Sequence, residues 1–233
     1  MRTVRRIGVL GGTFDPIHFG HLDAAEAVRA ALELDEVLFI PSHDPPHKTN
    51  STEASVHHRF ALAALAIQDC PGYRLSDMEL LRQGASYTVD TLRALHACGF
   101  AATQIFFTLG ADAFAEIASW RAFPQVLDLA HFAVVSRPGT TLDAAVARVP
   151  EIGARLRPEA ERGRGGNGTT GVYLVPAHTR DVSSTTIRAR VAAGQSIDDL
   201  VPAAVARHIV VHHLYGAVDH LHGEEGNGSD PHN

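Results

Sequence analysis

Two histidines three residues apart, His18 and His21, are the side chains whose type and spacing point most directly to chemistry. At i and i+3, two imidazoles can share one helical face and reach the same anion. Directly before them runs Gly11-Gly12-Thr13-Phe14-Asp15-Pro16-Ile17. Glycines let backbone approach a bulky anion, and a helix start adds unpaired N–H groups and partial positive charge. The matching chemistry is the gripping of a polyphosphate. An isolated H-x-x-H is more often a capped helix start with one solvated ring. Here the glycines in front, the Asp-Pro turn and a preceding apolar run tip the reading toward an anion site.

A second segment of this kind comes near the end of the chain: Asp181-Val182-Ser183-Ser184-Thr185-Thr186-Ile187-Arg188. Consecutive hydroxyls at a helix start, with an Arg one turn in, make an anion cradle, although serial hydroxyls also serve as plain caps.

Between the two lie four smaller signals. Pro41-Ser42-His43-Asp44-Pro45-Pro46-His47-Lys48 is a loop stiffened by proline, with Lys48 at its end able to reach an anionic ligand. Ser86-Tyr87-Thr88-Val89-Asp90-Thr91-Leu92 opens a helix with Ser or Thr as the expected cap, a core face of Val89, Leu92 and Leu95, and free amides near Thr88 that would attract a carboxylate. Asp112, after Leu109-Gly110-Ala111, could accept bonds from both hydroxyls of a ribose or cap the next helix. Ser136-Arg137-Pro138-Gly139 ends another strand, with Arg137 at the ligand edge or on the surface. Trp120, the single tryptophan, would by itself be read as core.

The elements that must position these groups are legible as apolar runs. Strands are predicted at Ile7–Leu10, Val37–Ile40, Tyr73–Ser76, Ile105–Leu109, Phe132–Val135 and Val172–Val175. Helices are predicted at Leu22–Leu32, Glu53–Ile67, Val89–Cys98, Phe114–Ile117 with Pro124–Leu129, and two closing ones at Ser184–Ala193 and Pro202–Leu214. Alternation of this kind implies an α/β fold, Rossmann-like and doubly wound, with a mostly parallel sheet covered on both faces and C-terminal helices. One domain over residues 1–216 is expected, with an exposed, mobile Gly/Arg-rich loop at 158–171 and a disordered polar tail at 217–233.

Composition narrows the function classes. A formal charge of −6 argues against a nucleic-acid binder with a broad basic face, while a few local Lys and Arg suffice for a triphosphate. The two cysteines follow no metal or redox spacing, so reduced thiols in a cytoplasmic protein are expected. Fifteen histidines give no H-E-x-x-H or Cys/His cluster, and His208 and His212 at i and i+4 carry little weight as a metal site. No stretch approaches a membrane span or a signal peptide.

At His18-Phe19-Gly20-His21 the chain resembles the nucleotidyltransferase superfamily, whose signature is H-x-G-H. Gly11-Gly12-Thr13-Phe14-Asp15-Pro16 is similar to the branch that makes pyridine dinucleotides, the nicotinate-nucleotide adenylyltransferases. The late segment matches that family's I-S-S-T-x-I-R, with Val182 in place of Ile, and the resemblance covers most of residues 7–216. It implies ATP binding by Gly11, Gly12, Thr13, Phe14, His18, His21, Asp112, Arg137, Ser183, Ser184, Thr185 and Arg188, with Arg188 on the β- and γ-phosphates. Lys48, Thr88, Val89 and Trp120 would bind nicotinate mononucleotide, Trp120 by stacking its indole on the pyridine ring.

The implied reaction is in-line attack of the mononucleotide's own phosphate on the α-phosphorus of ATP, which fits a chain lacking an obvious covalent nucleophile or carboxylate pair. His18, His21 and Arg188 are the expected catalytic groups, and Mg²⁺ would bind mainly through the triphosphate, with no dedicated protein metal site. The composition leaves room for a homo-oligomer. Nicotinamide mononucleotide or another phosphate acceptor stays open as an alternative, as does a nucleotide-sensing regulator without catalysis. A dehydrogenase is rejected: G-x-G-x-x-G is missing, and Asp35 and Glu36 fall at the wrong end of the second strand.

Overall fold

The structure, a computed structural model, describes residues 5–44, 52–82, 84–136, 147, 149–157 and 168–217. Its frame is one seven-stranded sheet, every pairing parallel, in the order β3-β2-β1-β4-β5-β7-β6. The strands are β1 Ile7–Gly12, β2 Glu36–Pro41, β3 Tyr73–Leu75, β4 Ile105–Gly110, β5 His131–Ser136, β6 Leu156–Arg157 and β7 Val172–Pro176. The middle strands are buried on both faces, so they read as continuous apolar runs: β4 is buried from Ile105 to Leu109 and only Gly110 is exposed.

Chain order and sheet order part company between β1 and β4. The chain moves outward from β1 through β2 to β3, then returns to lay β4 on the other side of β1, Ile7 beside Ile105 and Leu10 beside Thr108. Loops leaving these two neighbours diverge to opposite faces, which opens a crevice at their carboxyl ends.

Seven helices appear among the described residues: α1 Phe19–Ala31, α2 Val56–Ile67, α3 Thr88–Ala97, α4 Ala111–Ala115, α5 Pro150–Gly153, α6 Ser184–Ala192 and α7 Ala203–Val211. One face of the sheet packs Ile7, Val9, Ile105 and Phe107 against Val89, Leu92 and Leu95 of α3. On the other face Leu10, Val37 and Phe39 meet Leu62 and Ala63 of α2, with Ile187 of α6 and Val205 and Ile209 of α7 in the same cluster. Val28 of α1 packs with Phe106 and Tyr173.

Several predicted bounds shift. The helix expected at Phe114–Ile117 begins earlier, as α4, and gives way to a 3₁₀ turn at Ile117–Ser119, while Pro124–Leu129 contains only a 3₁₀ turn at Gln125–Asp128. Strand β6, two residues long, is too short to show a period in sequence. Of the loop expected at 158–171, residues 158–167 lie outside the described residues. Its end is anchored: Thr170 donates its hydroxyl to the Leu127 carbonyl at 2.7 Å, and the Gly171 amide donates to His131 Nδ1 at 2.9 Å. The tail beyond Ala217 also lies outside the described residues.

Candidate active site

The carboxyl end of β1 runs into a turn that only particular residues can make. A Cβ on Gly12 would lie 2.8 Å from Cε1 of Phe14, so the position has no room for a side chain. Phe14 itself holds a left-handed backbone with φ 50, uncommon for a bulky residue. Its ring is buried and meets the His21 imidazole edge-on, centroids 5.1 Å apart at 86°. Phe14 therefore acts as a wall behind His21 rather than as lining of the cleft.

His18 is the N-cap of α1, in extended backbone, and its amide donates to Nδ1 of His21 at 3.2 Å. This is the returning half of a capping box, with imidazole in the place usually taken by Glu or Gln. Because Nδ1 accepts, the ring proton of neutral His21 sits on Nε2. The two rings stack with centroids 3.7 Å apart. A Cβ on Gly20 would come within 3.1 Å of both His18 Nδ1 and Val182, so glycine there lets the late segment close on the histidines.

That late segment forms the opposite wall. Ser183 caps α6 by accepting from the Thr186 amide at 3.1 Å, and the Ser184 hydroxyl donates to the Pro16 carbonyl at 2.9 Å. Gly11, Gly12, His18, His21, Ser183 and Ser184 all line one cleft of about 480 Å³ at the ends of β1 and β4. Thr185 is exposed and lies outside that lining. Arg188 is also set back: its Nε donates to Glu53 Oε1 at 2.6 Å and an Nη to the Asp15 carbonyl at 2.9 Å.

The other end of the cleft is more apolar. Phe107, Leu109 and Trp120 line it, the indole standing edge-on to Phe107 at 6.0 Å and 89°. Asp112 reaches the rim, exposed, in the first turn of α4; the N-cap there is Gly110. Thr88 lines the cleft as the first residue of α3, but the expected hydroxyl cap is absent: the N-cap is Tyr87, which makes no side-chain cap bond. Ser86 instead accepts from the His43 amide at 3.0 Å, which ties the end of the β2 loop to the start of α3. Val89 is buried in the core below, facing α3's packing partners. Lys48 and Arg137 lie outside the described residues.

Sequence reading passed over Arg180, which lines the cleft three residues ahead of the hydroxyl run. Its guanidinium is fixed by Asp23, at 3.1 and 3.2 Å, and lies 3.9 Å over the Phe19 ring. It also passed over Arg59, fully buried, which donates to the carbonyls of Thr13 at 2.6 Å, Ser42 at 2.7 Å and His43 at 3.1 Å. A single Arg on a helix gives no signal of this kind. Glu79, on the apolar end, forms a very short bond with Thr91, which also receives a bond from Arg82 at 3.1 Å.

A doubly wound sheet with two helix starts facing one crevice at its switch point defines a nucleotide-binding α/β protein. Residues 9–190 match the model of the cytidylyltransferase-like family. A protein of Roseiflexus sp. (strain RS-1) named "Probable nicotinate-nucleotide adenylyltransferase" is 43% identical over 211 residues, 90% of this chain and 97% of that protein. One of the same name from Geotalea uraniireducens (strain Rf4) is 39% identical, covering 90% of this chain and 98% of its own length. The fold is similar to that of the Plasmodium falciparum nicotinic acid mononucleotide adenylyltransferase complexed with NaAD, with TM-score 0.68 and 18% identity over 91% of this chain and 97% of that one. The chain belongs to the cytidylyltransferase-like family and, within it, to the nicotinate-nucleotide adenylyltransferases.

Proposed function

We propose that the chain transfers an adenylyl group from ATP to nicotinate mononucleotide, giving nicotinate adenine dinucleotide and pyrophosphate. The observation that carries this reading is the meeting of His18, His21, Ser183 and Ser184 on one cleft, although the chain separates the pairs widely.

The acceptor's phosphate is already an anionic nucleophile at neutral pH. It attacks the α-phosphorus, the bond to the bridging oxygen breaks, and pyrophosphate departs with the electron pair. The protein's part is to align the two phosphates and to stabilise charge as it builds. His21 Nε2–H and His18 donate toward the reacting phosphate, while Ser183, Ser184 and Arg188 take the outer phosphates. Asp112 accepts from the ribose of ATP, and Lys48 and Arg137 supply cations to the two substrates. Gly11 and Gly12 allow close backbone approach, with Thr13 and Phe14 shaping the turn behind them.

At the other end, the amides of Thr88 and Val89 at the start of α3 favour the carboxylate of nicotinate over a neutral amide. Trp120 offers a ring face beside Phe107 for the pyridine. The phosphate end of the cleft presents hydroxyls, imidazoles and glycine backbone, a donor set suited to Mg²⁺ that arrives on the triphosphate rather than in a protein cage. Bound there, the ion would neutralise phosphate charge.

The test is pyrophosphate release by the purified chain with ATP and each candidate acceptor. Turnover with nicotinate mononucleotide well above that with nicotinamide mononucleotide is expected. Equal rates would refute the role given to the α3 start, and ATP binding without turnover would favour a nucleotide sensor.

A further inference from the structure

Beneath the phosphate end of the cleft lies a buried polar knot that the reaction as described does not use. Asp15 is 2% exposed, and its carboxylate accepts from the amides of Glu53 at 2.9 Å and Ala54 at 3.1 Å and from the Tyr215 hydroxyl at 2.8 Å. Its backbone carbonyl accepts from Arg188. Arg59, with no exposed surface, is directed to the carbonyls of Thr13, Ser42 and His43. Both ends of the loop after β2, the turn after β1, helix α6 and the chain's last described turn thus meet at two residues, Asp15 and Arg59.

Burying a carboxylate and a guanidinium is costly unless each is fully hydrogen-bonded, and removing one partner leaves the other charge uncompensated. Here the compensating groups are almost all backbone, with the buried Arg59 Nε alone in the knot making no hydrogen bond among the described residues, so the two charges fix chain geometry. The carbonyl of Thr13 is engaged by Arg59, so its oxygen, which would repel a phosphate, is already neutralised by a cation. Burial, and then the Asp15 charge, push the Tyr215 phenol well up, so it stays a donor. Burial pulls Arg59 down from its ordinary value, and Asp15 opposes that pull. The turn that delivers Tyr215 is itself unfavourable: His213 and Tyr215 both hold left-handed backbones, at φ 49 and φ 57.

We propose that Tyr215 and Arg59 are positioning residues for the ATP site, acting through Asp15 and the Thr13 carbonyl to hold the glycine turn and His18 in place. This rests on the assignment of that turn to ATP. The C-terminal segment is then part of the phosphate-binding apparatus rather than only a cover for the core.

The experiment uses the full chain with Tyr215→Phe, which removes one hydroxyl and keeps the buried ring, and Arg59→Lys, which keeps charge but cannot span three carbonyls. Ile209→Val, an apolar change in the same cluster that touches none of the knot's hydrogen-bonding groups, controls for lost stability. We expect Tyr215→Phe and Arg59→Lys each to lower kcat about tenfold, since small misplacements at a reacting centre act on rate, and to leave KM for nicotinate mononucleotide nearly unchanged; an Arg59→Lys variant with wild-type kcat would remove Arg59 from the proposal. Ile209→Val should lower Tm with kcat intact. Calorimetry with ATP alone reads the same knot without turnover, and Tyr215→Phe should weaken ATP about fivefold. If Tyr215→Phe lowers Tm like the control while kcat and ATP affinity stay at the wild-type level, the role is structural and the proposal is wrong. A wild type inactive toward nicotinate mononucleotide would overturn the acceptor, and the ATP arm would still decide Tyr215.

Discussion

The imidazoles of His18 and His21 stack at 3.7 Å and 27°, while the backbone amide of His18 donates to Nδ1 of His21. The second histidine is thereby oriented by the first residue's backbone, with Phe14 edge-on behind it. His21→Ala removes the donor aimed at the reacting phosphate and one capping bond. The lost cap costs about 1 kcal/mol of stability, too little to unfold a domain with an ample core. Turnover should fall by about two to three orders of magnitude, as for other lost donors to a developing charge. Circular dichroism and steady-state pyrophosphate release would check this; a folded variant with near wild-type kcat would remove His21 from the mechanism.

Arg188 meets Glu53 at 2.6 Å, so a carboxylate now occupies the guanidinium expected to hold the outer phosphates. Glu53 is 53% exposed, which makes the pair weak and sensitive to salt. A triphosphate must displace it. Glu53→Gln should lower KM for ATP by about two- to threefold at low salt and leave kcat unchanged, with the difference vanishing at high salt. A raised KM would mean that Glu53 orients Arg188 instead of competing for it.

Much of this architecture is written locally. The strands surface as apolar runs because parallel strands are buried on both faces, and the two anion segments surface because glycines and serial hydroxyls are rare together. What stays hidden is what depends on partners far along the chain. Asp15 stands in the quoted motif, but nothing local announces a bond to Tyr215 two hundred residues away. Arg59 reads as one more helical charge, because its partners are backbone carbonyls and carbonyls carry no sequence signature. The missing hydroxyl cap on α3 has the same origin: Ser86 is recruited by His43 from another loop. Arg188 shows the limit of a motif, which places a residue one turn into a helix without saying what it holds at rest.

His131, at the start of β5, predicts how stability responds to acid. The ring is 1% exposed, stacked on Phe106 with centroids 4.6 Å apart and edge-on to Tyr173, and its Nδ1 accepts from the Gly171 amide. Burial, and then the charges of Arg6 and Arg157, push it down to about 4. Above about pH 6.5 the ring is neutral in both the folded and unfolded chain, so it gives no pH dependence there. Below that, the unfolded chain gains a proton that the folded chain refuses, and stability falls until about pH 4, where both states are protonated. Between about pH 7.5 and about pH 5 the expected loss from this residue is roughly 2 kcal/mol. His208, lowered by burial and by the charges of His212 and His58, adds loss of the same sign. Urea unfolding of wild type and His131→Asn at the two pH values separates them, because the variant keeps a side-chain acceptor for Gly171 but cannot titrate. The variant should start less stable and lose roughly 2 kcal/mol less on acidification. An identical loss in both proteins would show that the ring's burial does not govern its protonation.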